Sequence, residues 1–365
     1  MTLQTMNPAP ETGTPIANSL TAGRLPSSAP WVILGTAIAV SAAVFGVVAI
    51  GAGSGFDWGG ALMVGALLYI PAIWLFSRLV EGGRRATDRL VTALVTGAFL
   101  LAMIPLVSLT ITVVTFGLAR FDADFFSMSM RNVTGEGGGA LHAIVGTLLM
   151  TGTAALISIP IGLMTSIYLV EYGRGKLARG VTFLVDVMTG IPSIVAGLFA
   201  YSLFAIFWGP GTRTGIAGAV ALALLMIPVV VRSSEEMLRL VPNELREAAY
   251  ALGVPKWLTI VKVVLPTSIA GITTGIMLSV ARVIGETAPL LIAAGFTASM
   301  NYNMFDGRMQ SLPVFVYTQY ANQGNPAEAF LDRAWAAALT LILIVMALNL
   351  IARLVARLFA PKLGR

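Results

Sequence analysis

The chain contains no cysteine and a single histidine, His142, in 365 residues. Disulfide frameworks, thiol nucleophiles and Cys/His zinc sites are excluded on that ground alone. Charge is scarce as well. Only 11% of residues are Asp, Glu, Lys or Arg, where a soluble domain carries about 25%. A phosphate-cradling G-x-x-x-x-G-K-[ST] loop is also missing. The nearest approach, Gly173-Arg174-Gly175-Lys176, has Val170 at the first glycine position and Leu177 after the lysine. Any nucleotide site must therefore be supplied by another chain. No cluster of acids, bases and nucleophiles stands out, so no catalytic residue and no metal ligand is assigned. What the chain does have is apolar surface: 57% hydrophobic residues and a mean hydropathy of +0.85. A soluble core of this length cannot hide that much, which leaves a polytopic helical membrane protein.

Runs between charged residues give the spans, since a transmembrane helix needs about 20 apolar residues. Eight such runs fall within 31–53, 58–77, 90–119, 137–170, 179–213, 214–231, 262–306 and 334–352. None alternates with a period of two, so a closed β-barrel is excluded. With eight spans both termini share a side. Placing them in the cytoplasm puts 17 of the 23 Lys and Arg inside, 5 outside, and Arg282 within the membrane. The positive-inside rule favours that orientation. It also accounts for the net charge of +6 without a nucleic-acid partner. Residues 1–29, rich in Pro, Thr, Ser and Ala, read as a disordered cytoplasmic tail. Residues 30–89 hold the first two spans, and Gly137–Gly139 reads as an external hinge.

Two segments carry more information than apolarity. The cytoplasmic stretch 232–262 contains Asn243-Glu244-Leu245-Arg246-Glu247-Ala248-Ala249-Tyr250-Ala251-Leu252-Gly253. Asn243 suits an N-cap, and Glu244 and Glu247 suit the start of the helix dipole. Leu245, Ala248, Ala249 and Leu252 follow helical spacing, and Gly253 with Pro255 ends the element. Such a helix fits either a groove on a partner or the lipid interface. In the seventh span, Arg282 and Glu286 stand four apart on an expected continuous helix, placed to pair on one face. They read as a structural ion pair or as an anion-handling arginine in a polar path, with Thr287 beside them and Pro289 as a kink. Gly271-x-x-x-Gly275 predicts close helix packing. Asp186 is expected to pair with a neighbouring helix or to reach the cytoplasmic interface. His142 reads as a packing or surface residue.

The spacing Glu247-Ala248-Ala249, three residues, Gly253, nine residues, Val263-x-Leu265-Pro266 resembles the EAA loop of ABC-type import permeases, with valine for the family's isoleucine. Gly285-Glu286-Thr287-Ala288-Pro289-Leu290-Leu291 and Gly190-Ile191-Pro192-Ser193-Ile194-Val195-Ala196-Gly197-Leu198-Phe199 are similar to the A-type permease subunit of the phosphate-specific members. The resemblance covers about 91–360. It implies an all-α type I permease core over residues 90–365, two extra N-terminal spans, and a coupling helix at about 243–253. Glu244, Glu247, Ala248, Ala249, Leu252 and Gly253 would meet the ATPase, while Arg282, Glu286 and Thr287 would line the substrate path. The implied partners are a homologous second permease, two ATP-binding subunits and an extracytoplasmic phosphate-binding protein, in a bacterial-type inner membrane. This chain would bind no cofactor, with ATP and magnesium held by the partner ATPases. Another oxyanion, or a secondary transporter lacking an ATPase, are the alternatives.

Overall fold

The apolar runs fold as helices, with no strand among the described residues. The computed structural model describes residues 25–53 and 55–359, with side chains described to residue 354. The expected tail thus lies almost wholly outside the described residues. Seven described helical stretches are long and apolar enough to cross a membrane, and one bent pair makes eight if counted as a single span. The chain is a multi-pass membrane protein. Contacts divide it into two units, one ending at Leu109 and the other beginning at Thr110.

In the first unit, α1 (Ala29–Ala52) and α2 (Trp58–Val80) form an antiparallel hairpin. Gly53, in the left-handed region at φ +60°, ends α1. The Asp57 carboxylate caps α2 by accepting from Gly60 N–H at 3.0 Å. Close approach is set by Gly65, where an added Cβ would lie 2.8 Å from Ile38 Cα. Ser41 Oγ donates across the pair to Ala61 O at 2.7 Å. The turn into α3 (Gly83–Gly117) is organised by Glu81, which accepts from Arg89 Nε (2.5 Å), Ser77 Oγ (2.7 Å) and Leu25 N–H (2.9 Å). The Arg89 guanidinium is the main reason the Glu81 carboxyl is held down at about 2.

The second unit is built around α8 (Gly215–Arg239), whose small residues let several helices approach at once. Around it pack α5 (Leu141–Ile167), α11 (Leu265–Val283), α7 (Ser193–Trp208), α12 (Ala288–Ala293) and α6 (Gly175–Thr189). Gly162 of α5 sits on Val230, where an added Cβ would be 2.6 Å from Cγ1. Gly275 of α11 sits on Ser233, with the corresponding distance to Cβ 2.6 Å. Gly271 packs likewise on Met237, so the Gly-x-x-x-Gly expectation holds. Short helices α4 (Ala123–Ser127), α9 (Asn243–Ala251), α10 (Lys256–Thr259) and α13 (Leu312–Ala321) cap the bundle ends, and α14 (Ala327–Phe359) closes it. Single π-turns at Tyr168–Tyr172 and Ile260–Val264 join α5 and α11 to the segments beside α9.

Two sequence expectations need correcting here, and the packing role expected of His142 is met. The fifth span is not one straight helix. α6 and α7 meet at 108° across Gly190-Ile191-Pro192, because Pro192 removes a donor and holds an extended ψ of 138°. Gly137–Gly139 is a clamped loop rather than a hinge. Arg333, fully buried, donates to Gly135 O (2.6 Å) and Gly137 O (2.9 Å), and Arg120 donates to Gly138 O (2.9 Å). His142 is a buried packing residue, edge-on to Phe315 at 5.5 Å.

Candidate functional site

Two regions of the second unit bring the motif residues into place. At one end, α9 protrudes from the foot of α8. Its N-cap is Pro242, not Asn243 as expected. Pro242 already holds an extended ψ of 141° and carries no side-chain cap bond. The Asn243 amide oxygen instead accepts from Arg246 Nη1 at 3.4 Å. The other terminus follows expectation. Gly253 at φ +75° reverses the chain, its N–H bonding Tyr250 O (2.9 Å) while Val254 N–H bonds Ala249 O (3.1 Å). That pair of bonds is a Schellman closure, and the left-handed position favours glycine.

Only Ala249 of the four expected apolar-face residues is buried. Leu245, Ala248 and Leu252 face outward, Leu252 at 84% exposure, together with Glu244 and Glu247. The apolar face of α9 is therefore left uncovered by its own chain. What holds α9 is Arg246. Its guanidinium donates to Glu171 Oε1 (3.0 Å), Val241 O (2.6 Å) and Leu238 O (3.0 Å), joining α9 to the ends of α5 and α8. Both side chains of this ion pair are nearly buried. Lys256 donates to Glu171 O and lies over the Tyr172 ring at 4.6 Å. Glu171 thus serves both bases. Sequence reading assigned it no role, since its partners are 75 and 85 residues away. A second network lies beside it: Arg232 of α8 pairs with Asp186 of α6 and with Glu235 at 2.9 Å, and Arg239 pairs with Glu235 at 2.6 Å. The expected pairing of Asp186 with a neighbouring helix is met.

The second region lies where two helices break. α11 stops at Val283, Ile284 to Thr287 form a turn, and α12 begins at Ala288 with Pro289 in its first turn. Arg282 and Glu286 consequently do not share a helix face. The helix ends between them, the Glu286 N–H bonding Val283 O at 3.1 Å. No ion pair or side-chain hydrogen bond joins either to another described residue. Arg282 is exposed, and Glu286 and Thr287 are half-buried. The expected pair and mid-helix kink are replaced by a break with its charges free. A side chain at Gly285 would meet nothing within 4 Å, so the turn borders open space. This break touches the other one: at Gly197 of α7 an added Cβ would be 2.6 Å from Pro289 Cα. The two motifs read separately in the sequence are thereby packed together, glycine of one on proline of the other.

The family described as binding-protein-dependent transport system inner membrane component matches residues 158–365. The phosphate transport system permease protein PstA 1 of Mycobacterium tuberculosis (strain ATCC 25618 / H37Rv) is 49% identical over 275 residues, covering 74% of this chain and 88% of that protein. The phosphate transport system permease protein PstA of Yersinia pestis is 37% identical over 286 residues, covering 78% and 94%. Among solved structures, the MetNI methionine ABC transporter in an inward-facing conformation matches with a TM-score of 0.51 at 20% identity, covering 60% of this chain and 96% of that one. A bacterial alginate ABC transporter matches with a TM-score of 0.54 at 14% identity, covering 79% and 100%. At those identities the two structures show a shared fold.

Proposed function

The chain belongs to the family of binding-protein-dependent transport system inner membrane components, and on that premise we propose that it is the A-type permease subunit of an ATP-driven phosphate importer. Its relatives named as phosphate permeases support the choice of anion. Its clamped helix α9 supports the mode of energy input. That helix carries the reading: a short amphipathic element with its apolar face uncovered, tied through Arg246 to the ends of two membrane helices, is built to receive force from a partner.

The complete importer then contains a second permease, two ATP-binding subunits that hold ATP and magnesium, and an extracytoplasmic phosphate-binding protein. This chain is a transporter subunit and hydrolyses nothing. Its termini lie on the cytoplasmic side with α9, as the excess of Lys and Arg there requires. Residues 30–89 supply two added spans, and the permease core begins at about residue 90. Glu244, Glu247, Ala248, Leu252 and Gly253 contact the ATPase, while Ala249, expected among them, is buried in its own chain and seats the helix. Closure of the ATPases displaces α9, α8 follows, and the breaks at Gly190–Pro192 and Ile284–Thr287 shift between the two openings of the path. Arg282, with its charge uncompensated, attracts the anion, and a guanidinium binds phosphate through a two-pronged fork. Glu286 and Thr287 line the same turn.

The test is phosphate uptake into vesicles holding the assembled complex, with ATP inside and loaded binding protein outside. Arg282→Gln is expected to lower uptake at least tenfold while the ATPase subunits still copurify. Full uptake by that variant would remove the role given to Arg282. Uptake of sulfate or molybdate in place of phosphate by the unaltered complex would reassign the substrate.

A further inference from the structure

Several arginines of the second unit have a partner in the chain. Arg120, Arg232, Arg239, Arg246 and Arg333 each bond a carboxylate or carbonyl. Arg213 and Arg308 have neither among the described residues, and they share a seat. Gly295 follows α12 at φ +72°, where a side chain is strained. A Cβ there would lie 3.1 Å from Arg213 Cδ and 3.3 Å from Arg308 Cδ. The two stems therefore rise from one patch a few ångströms across, at the end of α8 remote from α9.

Backbone bonds fix both positions. Thr214 N–H bonds Ala293 O (3.2 Å), Met309 N–H bonds Ala294 O (3.2 Å), and Ile216 N–H bonds Met304 O (2.7 Å). Asn301 Nδ2 braces the loop by donating to Asp306 O (2.9 Å) and Arg308 O (3.0 Å). The nearest acid in sequence, Asp306, forms no ion pair with either arginine. Two like charges held together without a counter-charge repel one another, and an anion between them relieves the repulsion.

We propose that Arg213 and Arg308 form a receiving site for the oxyanion at the mouth of the path. This rests on the phosphate-importer reading and adds a second station to it. Each guanidinium presents paired N–H donors, and tetrahedral phosphate has oxygens enough to accept from both. The six residues of α12 separate this station from Glu286 and Thr287, about 9 Å at 1.5 Å per residue. The anion released at the mouth passes along α12 to the break that carries Arg282. The patch also concentrates anions at the opening through its field.

The experiment uses the whole complex in vesicles and varies the concentration of phosphate-loaded binding protein. Assembly is read by copurification of the ATPase subunits. Arg213→Gln with Arg308→Gln is expected to lower the maximal uptake rate about tenfold, a loss in line with removing charge-assisted bonds to an anion. The half-saturating concentration of binding protein should stay unchanged. Lysine at both positions keeps the charge without the paired donors and should restore only part of the rate. An unchanged maximal rate in the glutamine pair overturns the proposal. A raised half-saturating concentration at unchanged maximal rate also overturns it, because the arginines would then be docking carboxylates of the binding protein. If the unaltered complex imports no phosphate, the importer reading itself fails, which is a separate result.

Discussion

Glu81 illustrates how much one side chain organises in a membrane protein poor in charge. It accepts from Arg89, Ser77 and the Leu25 N–H at a helix turn, and Arg89 holds its carboxyl at about 2, below the usual 4.5. Because the folded value is depressed, the stabilisation is complete above pH 4.5 and is lost as the pH falls toward 2. Glu81→Gln should therefore cost about 1.5–3 kcal/mol at neutral pH, the worth of hydrogen bonds to a charged group. The cost should shrink below pH 4.5. Thermal unfolding in detergent, followed by fluorescence of Trp31, Trp58 and Trp74, measures both; an equal gap at pH 7 and pH 3 would contradict the assignment. Legibility at this scale depended on distance along the chain. Gly253 was legible because helix closure is local. Glu171 was not, because its partners Arg246 and Lys256 lie on two distant elements, α9 and α10. Arg282 was legible as an exception to composition, but its expected partner was wrong: the helix carrying both residues breaks between them.

At the scale of elements, apolar runs located the helices without showing where they bend. A run of adequate hydropathy looks alike whether straight or folded back at 108°, so the fifth span was legible as a segment and illegible as α6 and α7. The packing of Gly197 on Pro289 was equally hidden, since it joins two motifs 92 positions apart. The element that invites perturbation is α9. Arg246→Met keeps stem volume and removes the donors to Glu171, Leu238 and Val241. The expected result is uncoupling: ATPase activity in the complex persists while uptake per ATP hydrolysed falls at least fivefold. That size corresponds to about 1 kcal/mol of lost positioning, within the range for a hydrogen bond. Tight coupling retained in this variant would show that α9 is held by other means.

For the whole molecule, the reading as a bundle of seven to eight membrane helices and the permease fold were legible because bilayer thickness and charge placement constrain them strongly. The course of the anion was not, because it depends on breaks and unpartnered charges that only folding reveals. The division of labour is testable. The family match begins at residue 158, and the relative from Mycobacterium tuberculosis covers 74% of this chain. A chain lacking residues 1–80 is expected to assemble with the ATPase subunits and to import phosphate at no less than half the full-length rate. Copurification together with vesicle uptake measures this, and loss of assembly would place the first two helices in the transport machinery.

The Arg246 clamp has one more consequence. It grips main-chain carbonyls at Leu238 and Val241 beneath α9, while Leu245, Ala248 and Leu252 point away from the grip. Under the docking proposed for α9, choice of motor and delivery of force are written in separate residues. On that proposal the outward side chains can be rewritten to accept the ATPase of a different importer, and the lever underneath, held by Arg246 on backbone carbonyls and Glu171, carries the stroke as before.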